Sequence, residues 1–309
     1  MNFKNVTVAG SGVLGYQIAF QAAFHGFNVT VYDISDEILE KAKEKFNILS
    51  EAFTKDLKAT KNQLDAAFTN LTYTSDLAAS VQNADLLIEA VPENPKIKID
   101  FYRSVAKLAP EKTIFATNSS SLLPSQFAKK TGRPEKFIAL HFANEIWKHN
   151  TAEVMGHPGT SSKVFDDIME FAKAIGMVAL PIYKEQPGYI VNSLLMPLLS
   201  SALELWVNKV SDIKTIDKTW MVATGAPMGP FGILDVVGIT TVYNINKIAA
   251  DSSRSPVMLK ISKKLKKEYI DKGKLGAISG KGFYNYPNPA YGKKKFPEVV
   301  SLILIRIKQ

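Results

Sequence analysis

The chain has 309 residues, of which 46% are hydrophobic and 22% charged, with no cysteine and a formal net charge of +9. That length allows two domains and a large buried core, and the lack of cysteine excludes disulfides, a thiolate metal site and a cysteine nucleophile. The positive charge comes mostly from lysine, and its densest run, Lys260 to Lys274, alternates with Ile261, Leu265 and Tyr269, the pattern of a solvated helix face rather than a nucleic-acid stripe.

The first elements in the chain carry the clearest pattern. Val6, Thr7, Val8 and Ala9 form a short apolar run with β-branched residues, as in a buried parallel strand. Gly10, Ser11, Gly12, Val13, Leu14 and Gly15 follow as G-x-G-x-x-G. In such a turn the first glycine allows the tight bend, the second lets a pyrophosphate approach, and the third lets the next helix pack closely. A helix over Val13 to His25 presents its free N–H groups and positive dipole end to phosphates. Asn28 to Tyr32 is the second strand, and Asp33 ends it, where an acid hydrogen-bonds ribose hydroxyls. A carboxylate there repels a ribose phosphate, so the expected ligand is NAD, bound by Gly10, Gly12, Val13, Leu14, Gly15 and Asp33. The glycines, with Gln17 and Gln21, argue against a membrane span over Val6 to Phe24, and no other run is expected to form one. MNFKNVTV leads straight into the first strand, so no signal peptide is expected, and a cytoplasmic location fits the missing cysteines.

After Asp33, a helix starts near Ser35, and the amphipathic region to Ala67 reads as an inserted helical hairpin. Strands are expected at Leu71–Thr74, Asp85–Val91, Thr113–Thr117, Phe137–His141, Ala152–Met155 and Met177–Ile182. Helices are expected after Ser75-Asp76 and over Lys96–Leu108, Pro124–Lys130 and Ser161–Ile175. This alternation predicts a Rossmann-type, doubly wound, mostly parallel α/β sheet. The texture changes at KEQPG, giving domains at 1–184 and 185–309, the second all-α. Its first helix, Tyr189 to Trp206, is leucine-rich and expected to be buried on most sides, within a bundle or a subunit interface. Gly276 to Tyr286 reads as a closing turn with an aromatic anchor, and VVSLILIRI near the end has no assigned role.

In open α/β sheets, ligands bind beyond the carboxyl ends of the strands. Three predicted strands end in polar residues: Glu89 to Asn94, Asn118 to Ser121, and His141 to Asn144. His141 is the one histidine of four at such an end. Glu153 starts the next strand, and a short excursion between neighbours could bring the two together. A carboxylate beside an imidazole fixes its tautomer and stabilises the imidazolium, as a general base requires. No metal constellation is visible. Taken singly, Ser120 could be a helix cap, Asn192 a packing asparagine, and Glu93 and Lys98 surface charges.

The ordered set GSGVLG, IEAVPEN, TNSSSL, ALHFAN, AEVMGHPGTS, QPGYIVNSLL, APMGPFGILDVVG and SGKGFYNY, from about Val6 to Tyr286, resembles the L-3-hydroxyacyl-CoA dehydrogenases, in particular the short, single-function 3-hydroxybutyryl-CoA dehydrogenase type. The resemblance implies an NAD domain followed by a helical domain that forms a homodimer, and reversible hydride transfer between NAD and C3 of a 3-hydroxyacyl thioester. It implies His141 as the base, Glu153 as its orienting carboxylate, and Ser120 and Asn192 as substrate contacts. It places Asn144 near the nicotinamide and Glu93 and Lys98 on NAD. The chain also departs from the family pattern, which reads His-Phe-Phe-Asn-Pro where this sequence has His141, Phe142, Ala143, Asn144 and Glu145. Ser193 replaces an arginine, Ile278 a lysine, and Leu49 and Asp56 fall where the hairpin would contact CoA.

Overall fold

A computed structural model describes residues 3–253, 255–293 and 296, and the VVSLILIRI segment lies outside them. Packing divides the chain into two compact units, Met1–Ser193 and Leu194–Gln309. The sequence texture changes earlier, at 184/185. The difference is the first turn of the helix beginning at Tyr189, whose Ile190 and Val191 amides donate to Glu153 in the first unit.

The first unit alternates strands and helices. β1 (Asn5–Ala9), α1 (Gly15–Phe24) and β2 (Asn28–Tyr32) come first, followed by α2 (Asp36–Leu57) and α3 (Lys61–Thr69). β3 (Leu71–Thr74), α4 (Leu77–Val81), β4 (Leu86–Glu89), α5 (Pro95–Leu108) and β5 (Ile114–Thr117) continue the pattern. β6 (Phe137–Phe142), β7 (Thr151–Met155), α6 (Ser162–Ala174) and β8 (Val178–Ile182) complete the sheet. The strand order is β3-β2-β1-β4-β5-β6-β7-β8. Every pairing is parallel except β6 with β7. That reversal follows from chain length, because the segment joining β6 to β7 is too short for a parallel crossover. The antiparallel register sets His141 directly opposite Glu153.

Each boundary has a local cause. Ser35 caps α2 through Ile38 N, and Lys58 ends it in the left-handed region at φ 58°. Thr60 and Gln63 form a reciprocal capping box on α3. Asp76 caps α4, and Asn94 with Pro95 opens α5. The hairpin is pinned by aromatic edges: Phe20 of α1 meets Phe53 of α2 at 4.9 Å and Phe68 of α3 at 5.4 Å between centroids. Phe20, Phe46 and Phe53 are fully buried. The helix expected over Pro124–Lys130 is instead two short 3-10 turns, Pro124–Gln126 and Ala128–Thr131. Phe127 N and Lys130 N bond back three residues, and Gly132 at φ 69° ends the segment before a longer helix can close.

The α-helices of the second unit begin within α7 (Tyr189–Val207) and continue as α8 (Ile213–Thr224), α9 (Pro230–Val237), α10 (Ile239–Ser253) and α11 (Pro256–Glu268). Within the single chain, α7 is buried on one side only. Leu199, Ala202, Leu203, Trp206 and Val207 face the core, while Leu194 and Leu205 are exposed. It is also long and apolar enough to cross a membrane by length and composition, which the sequence reading did not expect. Its buried side joins it to the core of this unit, as an amphipathic packing helix does. Two buried carboxylates organise the rest. Asp217 accepts from Phe231 N, Gly232 N and Tyr284 OH at 2.8–3.1 Å. Asp235 accepts from Phe283 N, Tyr284 N and Tyr286 OH over the same range. The aromatic anchor read from the sequence is therefore tied down through these two acids.

Candidate active site

The glycine turn has the shape a dinucleotide requires. Gly10 lies at φ 98°, and a side chain there would run into the backbone of Ala90. A side chain at Gly15 would overlap the Gly10 carbonyl, so α1 starts as close to β1 as backbone allows. Gly12 is exposed, and a Cβ built there would meet open space, which is where a pyrophosphate fits. Val13 is exposed and Leu14 half-buried at the mouth of α1. Asp33 follows β2, its Oδ2 accepting from Ser11 N and Ser11 Oγ, both at 2.7 Å, and its Oδ1 from Ile34 N at 2.8 Å. This carboxylate shapes the glycine turn and keeps lone pairs for ribose hydroxyls.

A second cluster sits at the ends of β5, β6 and β7. His141 Nδ1 lies 3.0 Å from Glu153 Oε2, and Nε2 lies 3.2 Å from Ser120 Oγ. A carboxylate cannot donate, so Nδ1 carries the hydrogen and Nε2 is left as the acceptor. The Ser120 hydroxyl then donates to the lone pair a base would use. Glu153 Oε1 accepts from Ile190 N at 2.8 Å and Val191 N at 3.0 Å. Burial pushes its carboxyl up, but the hydrogen bonds from His141 and the two amides outweigh this and hold it below the ordinary carboxylate range. His141 and Glu153 are buried, while Ser120 and Asn144 are exposed, so a ligand can reach the relay from the Ser120 side. Asn192 lies in the first turn of α7, half-buried beside Gly188.

A charged network also holds Glu93 and Lys98, which taken singly could be surface charges and which the resemblance places on NAD. Glu89, at 0% exposure, accepts from Lys98 Nζ at 2.5 Å, Tyr102 OH and Thr117 Oγ1 at 2.8 Å, and Val91 N at 2.9 Å. Lys98 is likewise buried and reaches Glu93 at 3.3 Å. Glu93 in turn accepts from Ser119 Oγ at 2.5 Å, Ser121 Oγ at 2.9 Å and Ser121 N at 3.1 Å. Burial raises the Glu93 carboxyl, but the Ser119 hydrogen bond and the Lys98 charge bring it below its ordinary value. Lys98 thus stands behind Glu93, which itself is exposed toward solvent. Glu89, Ser119 and Ser121 fall within the polar strand ends marked in the sequence but without a role of their own, and Tyr102 and Thr117 are not marked there at all.

Gln17 was also missed. It is buried in α1 and ties the loop after β6 to the glycine turn. Its Nε2 donates to Val13 O at 2.7 Å and Asn144 Oδ1 at 2.8 Å, and its Oε1 accepts from Glu145 N at 2.9 Å. A glutamine on an otherwise apolar helix face was the available signal. Further along the same loop, Trp147 Nε1 donates to Asp56 Oδ2 at 3.0 Å, and its ring lies 5.9 Å from that of Phe53. Ile278 is 99% exposed on a 3-10 turn. Among the described residues, no group of three or more His, Cys, Asp or Glu could hold a metal ion.

Two outcomes are expected from these contacts. Asp33→Ala removes charge-assisted hydrogen bonds that contribute about 1.5–3 kcal/mol, so the NAD dissociation constant should rise roughly 10- to 100-fold by calorimetric titration; an unchanged constant would remove Asp33 from the cofactor site. Glu153 has a depressed folded pKa, so its stabilisation is present above the unfolded value and is lost as pH falls through the folded one. Glu153→Gln should therefore be less stable than the native chain at neutral pH, with the gap shrinking below about pH 4. Urea denaturation across pH checks this, and a gap independent of pH would contradict it.

Comparison with known proteins agrees with this geometry. The 3-hydroxyacyl-CoA dehydrogenase NAD-binding domain matches residues 5–186, and the C-terminal domain of the same family matches residues 188–286. The human mitochondrial hydroxyacyl-coenzyme A dehydrogenase is 35% identical over 289 residues, covering 92% of this chain and 91% of its own. A solved diketoreductase acting on dicarbonyl compounds is 51% identical with a TM-score of 0.88, covering 93% of this chain and all of its own. The (S)-3-hydroxybutyryl-CoA dehydrogenase of Ralstonia eutropha is 25% identical with a TM-score of 0.80, covering 93% and 100%. The glycine turn that fits NAD, the two-part fold and these full-length matches lead to one conclusion: the chain belongs to the NAD-dependent 3-hydroxyacyl-CoA dehydrogenase family.

Proposed function

We propose that the chain interconverts a short-chain (3S)-3-hydroxyacyl-CoA and the corresponding 3-oxoacyl-CoA, with His141 as general base. The observation that carries this reading is the Ser120–His141–Glu153 relay, in which Nε2 is an acceptor facing an exposed hydroxyl. The hydride acceptor, or donor in the reverse direction, is supplied by NAD bound at Gly10, Gly12, Val13, Leu14, Gly15 and Asp33. His141 Nε2 takes the proton of the 3-hydroxyl as the C3–H bond breaks and the C3–O double bond forms. Glu153 holds the ring in the donating tautomer at Nδ1 and stabilises the imidazolium that results. Ser120 Oγ turns from Nε2 to the substrate oxygen, and Asn192 contacts the same end of the substrate. Asn144 and Glu93 border the nicotinamide end, with Lys98 fixing Glu93 from below.

A second reading is that the substrate is a small 3-hydroxy or dicarbonyl compound without CoA. Two observations favour it. The diketoreductase is more identical to this chain than either CoA dehydrogenase reported above. In addition, the hairpin positions where the family resemblance expects CoA contacts hold Leu49, buried in the core, and Asp56, bonded to Trp147. A carboxylate repels the phosphates of CoA and offers them no hydrogen.

Oxidation of NADH with acetoacetyl-CoA, compared with acetylacetone and acetoacetate, separates the readings. Turnover of acetoacetyl-CoA at much the highest kcat/KM supports the first; turnover of the CoA-free compounds alone overturns it in favour of the second. With either substrate, His141→Ala should lose roughly 10²- to 10⁴-fold in kcat while NAD still binds, and near-normal turnover would remove His141 as the base. We also propose a cytoplasmic homodimer. The cysteine-free composition supports the location, which recovery in a membrane or organelle fraction would contradict. In the second unit Leu194 and Ile248 are 71% and 69% exposed, an apolar surface suited to a second copy. Light scattering should give twice the 34.1 kDa chain mass, and a monomer at micromolar concentration would refute the dimer.

A further inference from the structure

We propose that Tyr189 is a positioning residue that sets the ring plane of His141 and the placement of the Ser119–Ser121 segment from a single turn of backbone. The inference rests on the reading of His141 as the base, but its geometry is independent of the substrate.

Tyr189 is 1% exposed and makes three kinds of contact. Its ring lies parallel to the imidazole, with centroids 4.4 Å apart and planes 16° apart. Its hydroxyl donates to the Ser119 carbonyl at 2.7 Å, one residue before Ser120. The two amides that follow it, of Ile190 and Val191, hold the far oxygen of Glu153. All three members of the relay are therefore referenced to the Tyr189–Val191 turn. The backbone at Tyr189 lies at φ 56°, a conformation that a bulky residue rarely adopts. Such an outlier persists only where its surroundings over-determine it, and here ring, hydroxyl and following amides are each engaged. A tyrosine that merely filled space would need neither the parallel ring nor the bonded hydroxyl.

The stacked ring has an electrostatic consequence. An aromatic face attracts a cation, so it favours the imidazolium formed when His141 takes a proton. The other charged groups on this side are Glu153 from β7 and, beyond the serine segment, Glu93 and Glu89 with Lys98 between them. Of these, only Glu153 bonds the imidazole, with the uncharged Ser120 hydroxyl on the other ring nitrogen, so removing the Tyr189 ring takes away one direct influence on His141 and leaves both hydrogen bonds in place. The hydroxyl acts separately, by holding the Ser119 carbonyl and with it the direction of Ser120 Oγ.

Two variants separate ring from hydroxyl. Histidine ring signals are followed by NMR across pH in the whole protein, with His141→Ala identifying the His141 resonance. In Tyr189→Leu the midpoint of His141 should fall by roughly half a unit, whereas Tyr189→Phe should leave it unmoved. Hydrogen exchange of the segment spanning Ser119–Ser121 should speed up several-fold in Tyr189→Phe. An unmoved midpoint in Tyr189→Leu, or an equal shift in Tyr189→Phe, overturns the ring's role. Unchanged exchange in Tyr189→Phe overturns the hydroxyl's role. If the leucine variant does not fold, Tyr189→Met takes its place as the ring-free variant in the titration, and the phenylalanine variant decides the hydroxyl's role through exchange. Neither readout uses turnover, so a failure of the base assignment shows in His141→Ala kinetics and a failure of this inference shows here.

Discussion

The carboxylate of Glu153 is bound on both oxygens, and the site depends on that double attachment. One oxygen meets His141 across the antiparallel β6–β7 pair, and the other caps the first turn of α7. The two duties reinforce each other. Amide donors hold the group ionised, and an ionised group requires Nδ1 to carry the hydrogen. The tautomer of His141 is thus a consequence of where a helix begins. The short β6–β7 connection matters for the same reason: a parallel crossover would have needed more chain, and no such register would have put residue 141 against residue 153.

The Glu89–Lys98–Glu93 network shows how buried charge is made tolerable. Isolated, either Glu89 or Lys98 would be costly to bury. Here Glu89 has four donors, and Lys98 bridges it to Glu93. Such a fully connected network is rigid, and its outlet is Glu93, whose carboxylate gathers Ser119 and Ser121 on either side of Ser120. Tyr189 holds the same segment from the other direction through the Ser119 carbonyl. Ser120 therefore faces His141 on a segment clamped at both flanks.

Much of this was legible in the sequence where the controlling forces are local. The strand, glycine turn, helix, strand and acid of residues 6–33 follow from residue type and spacing alone, and the His141–Glu153 pairing follows from two adjacent strands and a short link. What was not legible depends on distant partners. Taken singly, Lys98 has nothing to separate it from its charged neighbours Lys96 and Asp100, yet it turns inward, because Glu89 waits at the end of β4. The positive φ of Tyr189 carries no residue signature, since glycine is the usual choice and the strain is met by Glu153 and Ser119. The apolar run of α7 could not reveal that only one side is buried, because period alone does not say which neighbours are present. Pro124–Lys130 read as a helix because its composition permits one, whereas Gly132 cuts the segment to 3-10 turns.

The loop after β6 is where this chain separates from its family's pattern, and the backbone explains how. Glu145 lies at φ 58°, whereas proline is confined near −65°. The family's proline could not occupy this position in this conformation, so the change is more than a swapped side chain. The amides of Glu145 and Ile146 both donate to Gln17 Oε1, and a proline at 145 would have had no hydrogen to give. Gln17 therefore takes over the role of fixing the turn and couples it to the glycine loop where α1 begins. Downstream, Trp147 reaches the helical hairpin and bonds Asp56. Under the proposed function, the relay serves the proton chemistry at C3, while the altered loop changes what the rest of the substrate meets. Under that proposal, any divergence lies in the group attached to the reacting carbon skeleton, the part that differs between a CoA thioester and a free dicarbonyl, and falls to Gln17, Glu145, Trp147 and Asp56 rather than to His141.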